Sequence, residues 1–164
     1  MTPNYFTYHS PIGLYRIEYT HNTITRIEIV SEESSNDGEQ NSFTEEVSRQ
    51  ITEYFNGERR QFNIAIDYSN STPFQAKVYK ELLKIPYAEK RTYKEIATAI
   101  NTPQASRAVG NANNRNPIQL IIPCHRVIGS NGSLTGYAGG VAAKDFLLNL
   151  ESRVSVAKGH KTNL

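Results

Sequence analysis

The sequence predicts an α+β fold in two parts: a small strand-rich unit over residues 1–70 and a mostly helical unit over residues 71–154, with residues 155–164 as a polar tail. Three observations carry that prediction. Apolar residues alternate with polar ones in the first part, and in the second they recur at helical spacing. Two S/T-x-x-E/Q capping boxes, Thr72 with Gln75 and Thr92 with Glu95, mark helix starts at and after the polar hinge 69–72.

The elements follow in order. Residues 14–19 and 24–30 alternate across the short turn His21-Asn22-Thr23 and read as a hairpin, with residues 5–8 a candidate third strand. The polar, acidic stretch 31–41 has no periodicity and reads as a loop. Ser42 with Glu45 forms a capping box before Phe43, Val47, Ile51 and Tyr54, and Asn56-Gly57 closes that helix. Phe62, Ile64, Ile66 and Tyr68 alternate with polar or small residues, which predicts a further strand.

Beyond the hinge, Pro73 occupies the first helical position after Thr72, and Phe74, Val78 and Leu82 repeat every fourth residue until the chain breaks near Ile85-Pro86. The next helix buries Ile96, Ala97 and Ile100, and a third is expected to start at Thr102-Pro103. Two short helices this close together match the helix-turn-helix pattern. On the third helix Ala105, Ala108, Val109 and Ala112 form the inward stripe, so at about 100° per residue Arg107 points away from it, with Gly110, Asn111 and Asn114 nearby. A slim polar face with one projecting arginine suits a minor groove better than a major groove, and an ordinary solvated face remains the alternative at this point. Residues 127–128 and 134–135 read as a small hairpin around Asn131-Gly132. Gly139-Gly140 then opens a last helix with Ala143, Phe146, Leu147 and Leu150 inward and Glu151 at the border of that stripe.

Composition limits the function. The chain has 164 residues, 18 Lys+Arg against 16 Asp+Glu, and one cysteine. A mildly basic balance permits a nucleic-acid partner without arguing for one. A single cysteine forms no internal disulfide and supplies no paired thiolates for zinc, and it fits a reducing compartment. No stretch approaches the roughly 20 apolar residues that span a bilayer, and no signal-peptide pattern stands at the N-terminus. A soluble, cytoplasmic protein with no membrane partner is expected.

That cysteine, Cys124, stands in "LIIPCHRVIGSNG" between Pro123 and His125. Pro123 ends the apolar run 118–122, so Cys124 opens a turn. His125 and Arg126 beside it favour thiolate over thiol, and Glu151 from the last helix is placed to orient the histidine.

"PCHRV", preceded by "NRNPIQLII" and followed by "GYAGG" and a terminal helix with Glu151, resembles the O6-alkylguanine-DNA alkyltransferases. The likeness covers about residues 72–153, and the strands and helix before it are similar in order to that family's ribonuclease-H-like N-terminal domain. The resemblance implies such a domain followed by a mostly helical winged-helix/helix-turn-helix domain. It implies that Cys124 accepts the alkyl group, that His125 takes the thiol proton through a water, and that Glu151 holds His125. Asn116 would brace the turn, and Tyr93 would press on the target phosphate or hydrogen-bond the base. Arg107 would fill the space of a flipped-out nucleotide, with Ser106, Gly110, Asn111 and Asn114 beside it on the DNA face. The carbonyls of Cys124 and Val127 would accept the guanine amino group. Tyr137 and Ala138 would wall the pocket; many members carry Ser at the position of Ala138.

The resemblance implies no cofactor, a monomer, and a partner in duplex DNA carrying O6-alkylguanine, with O4-alkylthymine a further substrate; some members carry a zinc site, for which this sequence offers no ligand set, so no metal is expected. The product would be a thioether, which offers water no carbonyl to attack, so each molecule would act once. Other readings remain. A cysteine protease or amidase takes its histidine from a distant part of the chain, and the remaining histidines here lie at a strand margin, a turn and the tail. A helix-turn-helix regulator would carry a richer base-reading face. The alternative within the resemblance is a non-catalytic lesion binder of the alkyltransferase-like type, which lacks the cysteine.

Overall fold

A three-stranded antiparallel sheet, two residue pairs of parallel ladder and five helices make up the described part of the computed structural model, which covers residues 4–31, 38–134, 137 and 139–162. The chain divides into two compact units, Met1–Ser69 with Pro117–Ile121, and Asn70–Asn116 with Ile122–Leu164.

In the first unit β1 (Asn4–Ser10), β2 (Gly13–Thr20) and β3 (Thr23–Val30) pair in sequence order. The β2–β3 connection has positive φ at both His21 (51°) and Asn22 (60°), the geometry that lets a two-residue turn follow the twist of its strands. One face of the sheet, with Phe6, Tyr15, Ile17, Tyr19, Ile24 and Ile27, is buried, and α1 (Ser42–Phe55) contributes Val47, Ile51 and Tyr54 to the core. The helix is capped one residue earlier than the Ser42–Glu45 spacing suggests: Asn41 is the N-cap, bonded reciprocally with Thr44. Only Ser42 with Glu45 fits the S/T-x-x-E/Q composition, but the Thr44 hydroxyl accepts from the Asn41 N–H in place of a Glu or Gln, and an Asn oxygen is at least as good a cap as a Ser hydroxyl. Of the loop expected at 31–41, residues 32–37 lie outside the described residues, and Gly38 bridges to Phe6.

The strand expected over Phe62, Ile64, Ile66 and Tyr68 does not form. Among the described residues the segment is held to β3 by a single bridge at Ile66, through Ile24 N–H to Ala65 O and Asp67 N–H to Ile24 O, both 2.9 Å. Further along the same strand, Ile27 N–H donates to Pro117 O and Gln119 N–H donates to Ile27 O. Two segments divide one strand edge, so neither extends into a ladder.

The second unit holds α2 (Pro73–Leu82), β4 (Arg91–Thr92), α3 (Tyr93–Ala99), α4 (Ser106–Asn114), β5 (Val127–Ile128) and α5 (Val141–Thr162). The Thr72–Gln75 and Thr92–Glu95 boxes are both made. Helix α4 begins later than Thr102-Pro103: Ala105 N–H bonds Thr102 O, so Pro103 serves a turn instead of a helix start, two roles its fixed φ suits equally. Its buried stripe is Val109, Ala112 and Asn113, while Ala105 is half-buried and Ala108 exposed. The stripe is rotated because Asn113 Nδ2 donates to Cys124 O at 3.2 Å.

The hairpin expected after Cys124 is replaced by another pairing. β5 lies parallel to β4, Arg91 opposite Val127, and Gly129 N–H closes a turn on Ser133 O. Leu134 is in no strand, and Thr135 falls outside the described residues. Helix α5 buries Ala143, Leu147 and Leu150 as expected, but Phe146 is half-buried, and Lys144 and Glu151 are fully buried. It also continues to Thr162, through the stretch expected to be a frayed tail, with no proline to interrupt its backbone ladder. Among the described residues no helix is long and apolar enough to cross a membrane.

Candidate active site

Cys124 is presented by two successive tight turns. Ile121 N–H bonds Gln119 O at 2.9 Å around Leu120, whose φ of +76° is unusual for a non-glycine residue. Cys124 N–H bonds Ile122 O at 2.7 Å around Pro123 at φ −80° and ψ 63°, an inverse γ-turn that the proline ring favours. A 3₁₀ turn, Cys124–Arg126, follows. Asn116 ties the arrangement together: its Nδ2 donates to Ile122 O at 2.8 Å and reaches Cys124 Sγ at 3.0 Å. The thiol is fully buried, and burial pushes it up to about 11, with the Asn116 hydrogen bond and the Lys144 charge pulling the other way. At neutral pH the group is therefore a thiol, and a base must take its proton when it reacts.

The base lies next in sequence. His125 Nε2 is 2.7 Å from Glu151 Oε2, and both side chains are 0% exposed. Burial alone would raise the Glu151 carboxyl, but the hydrogen bonds and charges of His125 and Arg126 outweigh it and hold the group well below the usual carboxylate range. An ionised carboxylate only accepts, so Nε2 carries the shared hydrogen and the neutral ring has its lone pair on Nδ1. That Nδ1 is buried and has no hydrogen-bond partner among the described residues. Burial holds the imidazolium below its ordinary range despite the neighbouring Glu151, so His125 is neutral at neutral pH.

Arg126, the neighbour whose part the sequence leaves open, is bidentate on Glu151, with Nε to Oε1 at 2.9 Å and Nη2 to Oε2 at 3.0 Å. Its Nη1 donates to Ile85 O at 2.8 Å. Glu151 Oε1 also accepts the Ala88 N–H at 3.0 Å. Ala88 has φ +66°, and no glycine in the sequence announces a left-handed residue there.

Lys144 is a further residue that the sequence reading passed over. Its side chain is buried seven residues, two helical turns, before Glu151, and burial brings its ammonium down to about 8 although the Cys124 charge favours it. Its Nζ stands 3.5 Å from Tyr93 Oη. Positions 144, 147 and 151 share one helix face, a periodicity that would have revealed it. Tyr93 is half-buried at the start of α3, and burial raises its hydroxyl above the ordinary tyrosine range. A Cβ at Gly110 would come within 3.9 Å of the Tyr93 ring.

The structure thus brings Cys124, His125, Glu151 and Asn116 together, with Lys144 linking toward Tyr93. Val127 is buried, and the Tyr137 ring meets His125 edge-on at 6.5 Å. Ala138 lies outside the described residues. Along α4, Arg107, Asn111 and Asn114 are exposed, and Ser106 and Gly110 are half-buried. A buried thiol, a neutral histidine with a bare nitrogen and an anchored carboxylate form a set suited to nucleophilic attack by sulfur.

Comparison with known proteins gives matches over both units. Residues 73–153 match the family model described as the 6-O-methylguanine DNA methyltransferase, DNA binding domain, and residues 4–68 match the ribonuclease-like domain of the same enzymes. A methylated-DNA–protein-cysteine methyltransferase of Methanosarcina barkeri is 56% identical over 113 residues, 69% of this chain and 71% of the relative. The constitutive one of Bacillus subtilis is 43% identical over 156 residues, 90% of this chain and 94% of the relative. Among solved structures, Mycobacterium tuberculosis OGT in complex with DNA superposes with a TM-score of 0.84 at 42% identity, covering 92% of this chain and 93% of that one.

Proposed function

The chain belongs to the methylated-DNA–protein-cysteine methyltransferase family, and from that premise we propose that it repairs O6-alkylguanine in duplex DNA by moving the alkyl group irreversibly onto Cys124. O4-alkylthymine is a second substrate of the same chemistry. Residues 71–154 hold the reaction, and residues 1–70 form a ribonuclease-H-like domain before them. The observation that carries the reading is the thiol held by Asn116 beside a histidine whose outer nitrogen is fixed on Glu151 and whose inner nitrogen is bare.

The steps follow from those atoms. O6 is hidden inside a duplex, so the damaged nucleotide must leave the stack, at a cost of a few kcal/mol. Arg107, exposed on α4, occupies the space left behind from the minor-groove side, and Asn111 and Asn114 lie along the same exposed face. Ser106 and Gly110 let the helix approach the backbone closely. Tyr93 contacts the target phosphate or the base, the carbonyls of Cys124 and Val127 accept the guanine amino group, and Tyr137 with Ala138 walls the pocket.

In the transfer, His125 Nδ1 takes the Cys124 proton through a water, and Glu151 stabilises the imidazolium that forms. Sulfur attacks the alkyl carbon in line, the S–C bond forms as the C–O6 bond breaks, and the electron pair stays on the guanine. The Tyr93 hydroxyl or a backbone amide stabilises the developing charge on O6. The thioether has no route back to the thiol within this site, so the protein acts once.

Stoichiometry tests this. A limiting amount of protein incubated with excess duplex carrying O6-methylguanine should restore at most one guanine per molecule, and Cys124→Ala should restore none while still binding DNA. Continued turnover, or repair by Cys124→Ala, would overturn the proposal.

A further inference from the structure

The transfer assigns Arg126 no step of its own, yet it is among the most heavily bonded side chains of the site. The residue is buried, at 8% exposure, and its guanidinium spends three donors on two partners: two on the Glu151 carboxylate and one on Ile85 O. Such a group is more than packing, because each bond fixes the charge in one place.

The charges around His125 can be followed group by group. From its own turn it faces the charge of Arg126 and follows Cys124 in sequence, from α5 it faces Glu151 and Lys144, and the Tyr137 ring lies edge-on to it. With the thiol protonated, Arg126 and Glu151 cancel, and Lys144 adds a cation when charged. A neutral histidine then completes the cluster at no electrostatic penalty. Without Arg126, the Glu151 carboxylate would be a buried charge balanced only at a distance. The cheapest local remedy is a second proton on the imidazole, at Nδ1, since Nε2 already carries one. A histidine so protonated cannot accept a proton from sulfur.

We propose that Arg126 is the positioning residue that keeps His125 a base, its guanidinium neutralising Glu151 so that the buried imidazole holds one proton, on Nε2, and leaves Nδ1 bare. The bond to Ile85 O prevents the guanidinium from turning toward Cys124 instead. The Ala88 N–H adds a donor on Oε1 that carries no charge, which orients the carboxylate without altering the balance. This role rests on the reading of His125 as the base for Cys124.

The test compares Arg126→Lys, which keeps the charge, with Arg126→Met, which removes it. Single-turnover methyl transfer from an O6-methylguanine duplex is followed across pH. The rising limb of the Arg126→Met profile should move to higher pH by about one unit, which is about a tenfold loss of rate on the acid side recovered on the alkaline side. Arg126→Lys should keep the wild-type midpoint. A uniformly lowered Arg126→Met profile with an unmoved midpoint, or an Arg126→Lys profile displaced as far as that of Arg126→Met, overturns the proposal.

Nitrogen NMR of the His125 ring gives a second reading that needs no transfer and, in the wild-type protein, no variant. At neutral pH the wild type should show a protonated Nε2 and a bare Nδ1; a proton on Nδ1 overturns the proposal. Absence of methyl transfer by the wild type would refute the function while leaving this ring state to be read on its own.

Discussion

Replacing Glu151 by Gln changes one atom and should unfold a large part of the margin that holds the second unit together. Among the described residues the carboxylate accepts from Ala88 N at 3.0 Å, Arg126 Nε at 2.9 Å, Arg126 Nη2 at 3.0 Å and His125 Nε2 at 2.7 Å. A glutamine amide would turn an NH₂ against one or more of these donors and leave the guanidinium without a counter-charge. Glu151 is 0% and Arg126 8% exposed, so little solvent screening softens the loss. Breaking one partner out of a buried pair costs about 3–5 kcal/mol, and at about 2–4 °C per kcal/mol for a chain of this size the melting temperature should fall by about 10 °C. Urea unfolding at neutral pH measures the difference. The Glu151 carboxyl is held below its unfolded-state value, so its contribution is complete above about pH 5 and is lost as pH falls below about pH 4. The gap between wild type and variant should therefore close in acid. The Glu151→Gln/Arg126→Met double variant should be less destabilised than Glu151→Gln alone, because it leaves no orphaned charge. A Glu151→Gln protein within about 1 kcal/mol of wild type, or a gap that does not change with pH, would refute the reasoning.

Three further outcomes are expected. Arg107→Ala removes an exposed side chain, so stability should stay within about 0.5 kcal/mol, while repair of duplex DNA slows and alkylation of the thiol by iodoacetamide is unchanged. Asn116→Ala deletes the donor to Ile122 O and Cys124 Sγ, which should cost about 2 kcal/mol in denaturant unfolding and slow iodoacetamide alkylation, because the lost bond lowers the thiol's proton affinity. Lys144→Met removes an amine that burial holds at about 8 against an ordinary 10.5. At neutral pH the variant should be more stable by about 2 kcal/mol, an advantage that shrinks between about pH 8 and 10 as the wild-type amine would be neutral in the fold, while the thiol reacts more slowly.

What the sequence made legible was local chemistry. Thr72 with Gln75 and Thr92 with Glu95 each specify a helix start by bonds within four residues, and both form. Pro123 announces the turn at Cys124 because its ring fixes φ. The features that were hidden depend on partners remote in sequence. The alternation over 62–68 is real, but the edge of β3 that it needed is shared with Pro117 and Gln119. Asn113 is buried by a bond to the Cys124 carbonyl, and Ala88 is left-handed while its N–H meets a carboxylate on α5. The catalytic candidates were legible for a different reason: Cys124 and His125 are adjacent, and Glu151 lies on the buried face of a helix whose period the sequence displays. Arg126 completes that group through Glu151, a link that its position beside the cysteine does not reveal.

The mass of the protein after a single encounter tests the central claim most directly. Intact protein is mixed with duplex DNA carrying O6-methylguanine, weighed, and digested to locate any adduct. One added methyl group per molecule, on the peptide containing Cys124 and nowhere else, is the predicted result. An unmodified Cys124 after the lesion has been bound or repaired would contradict it.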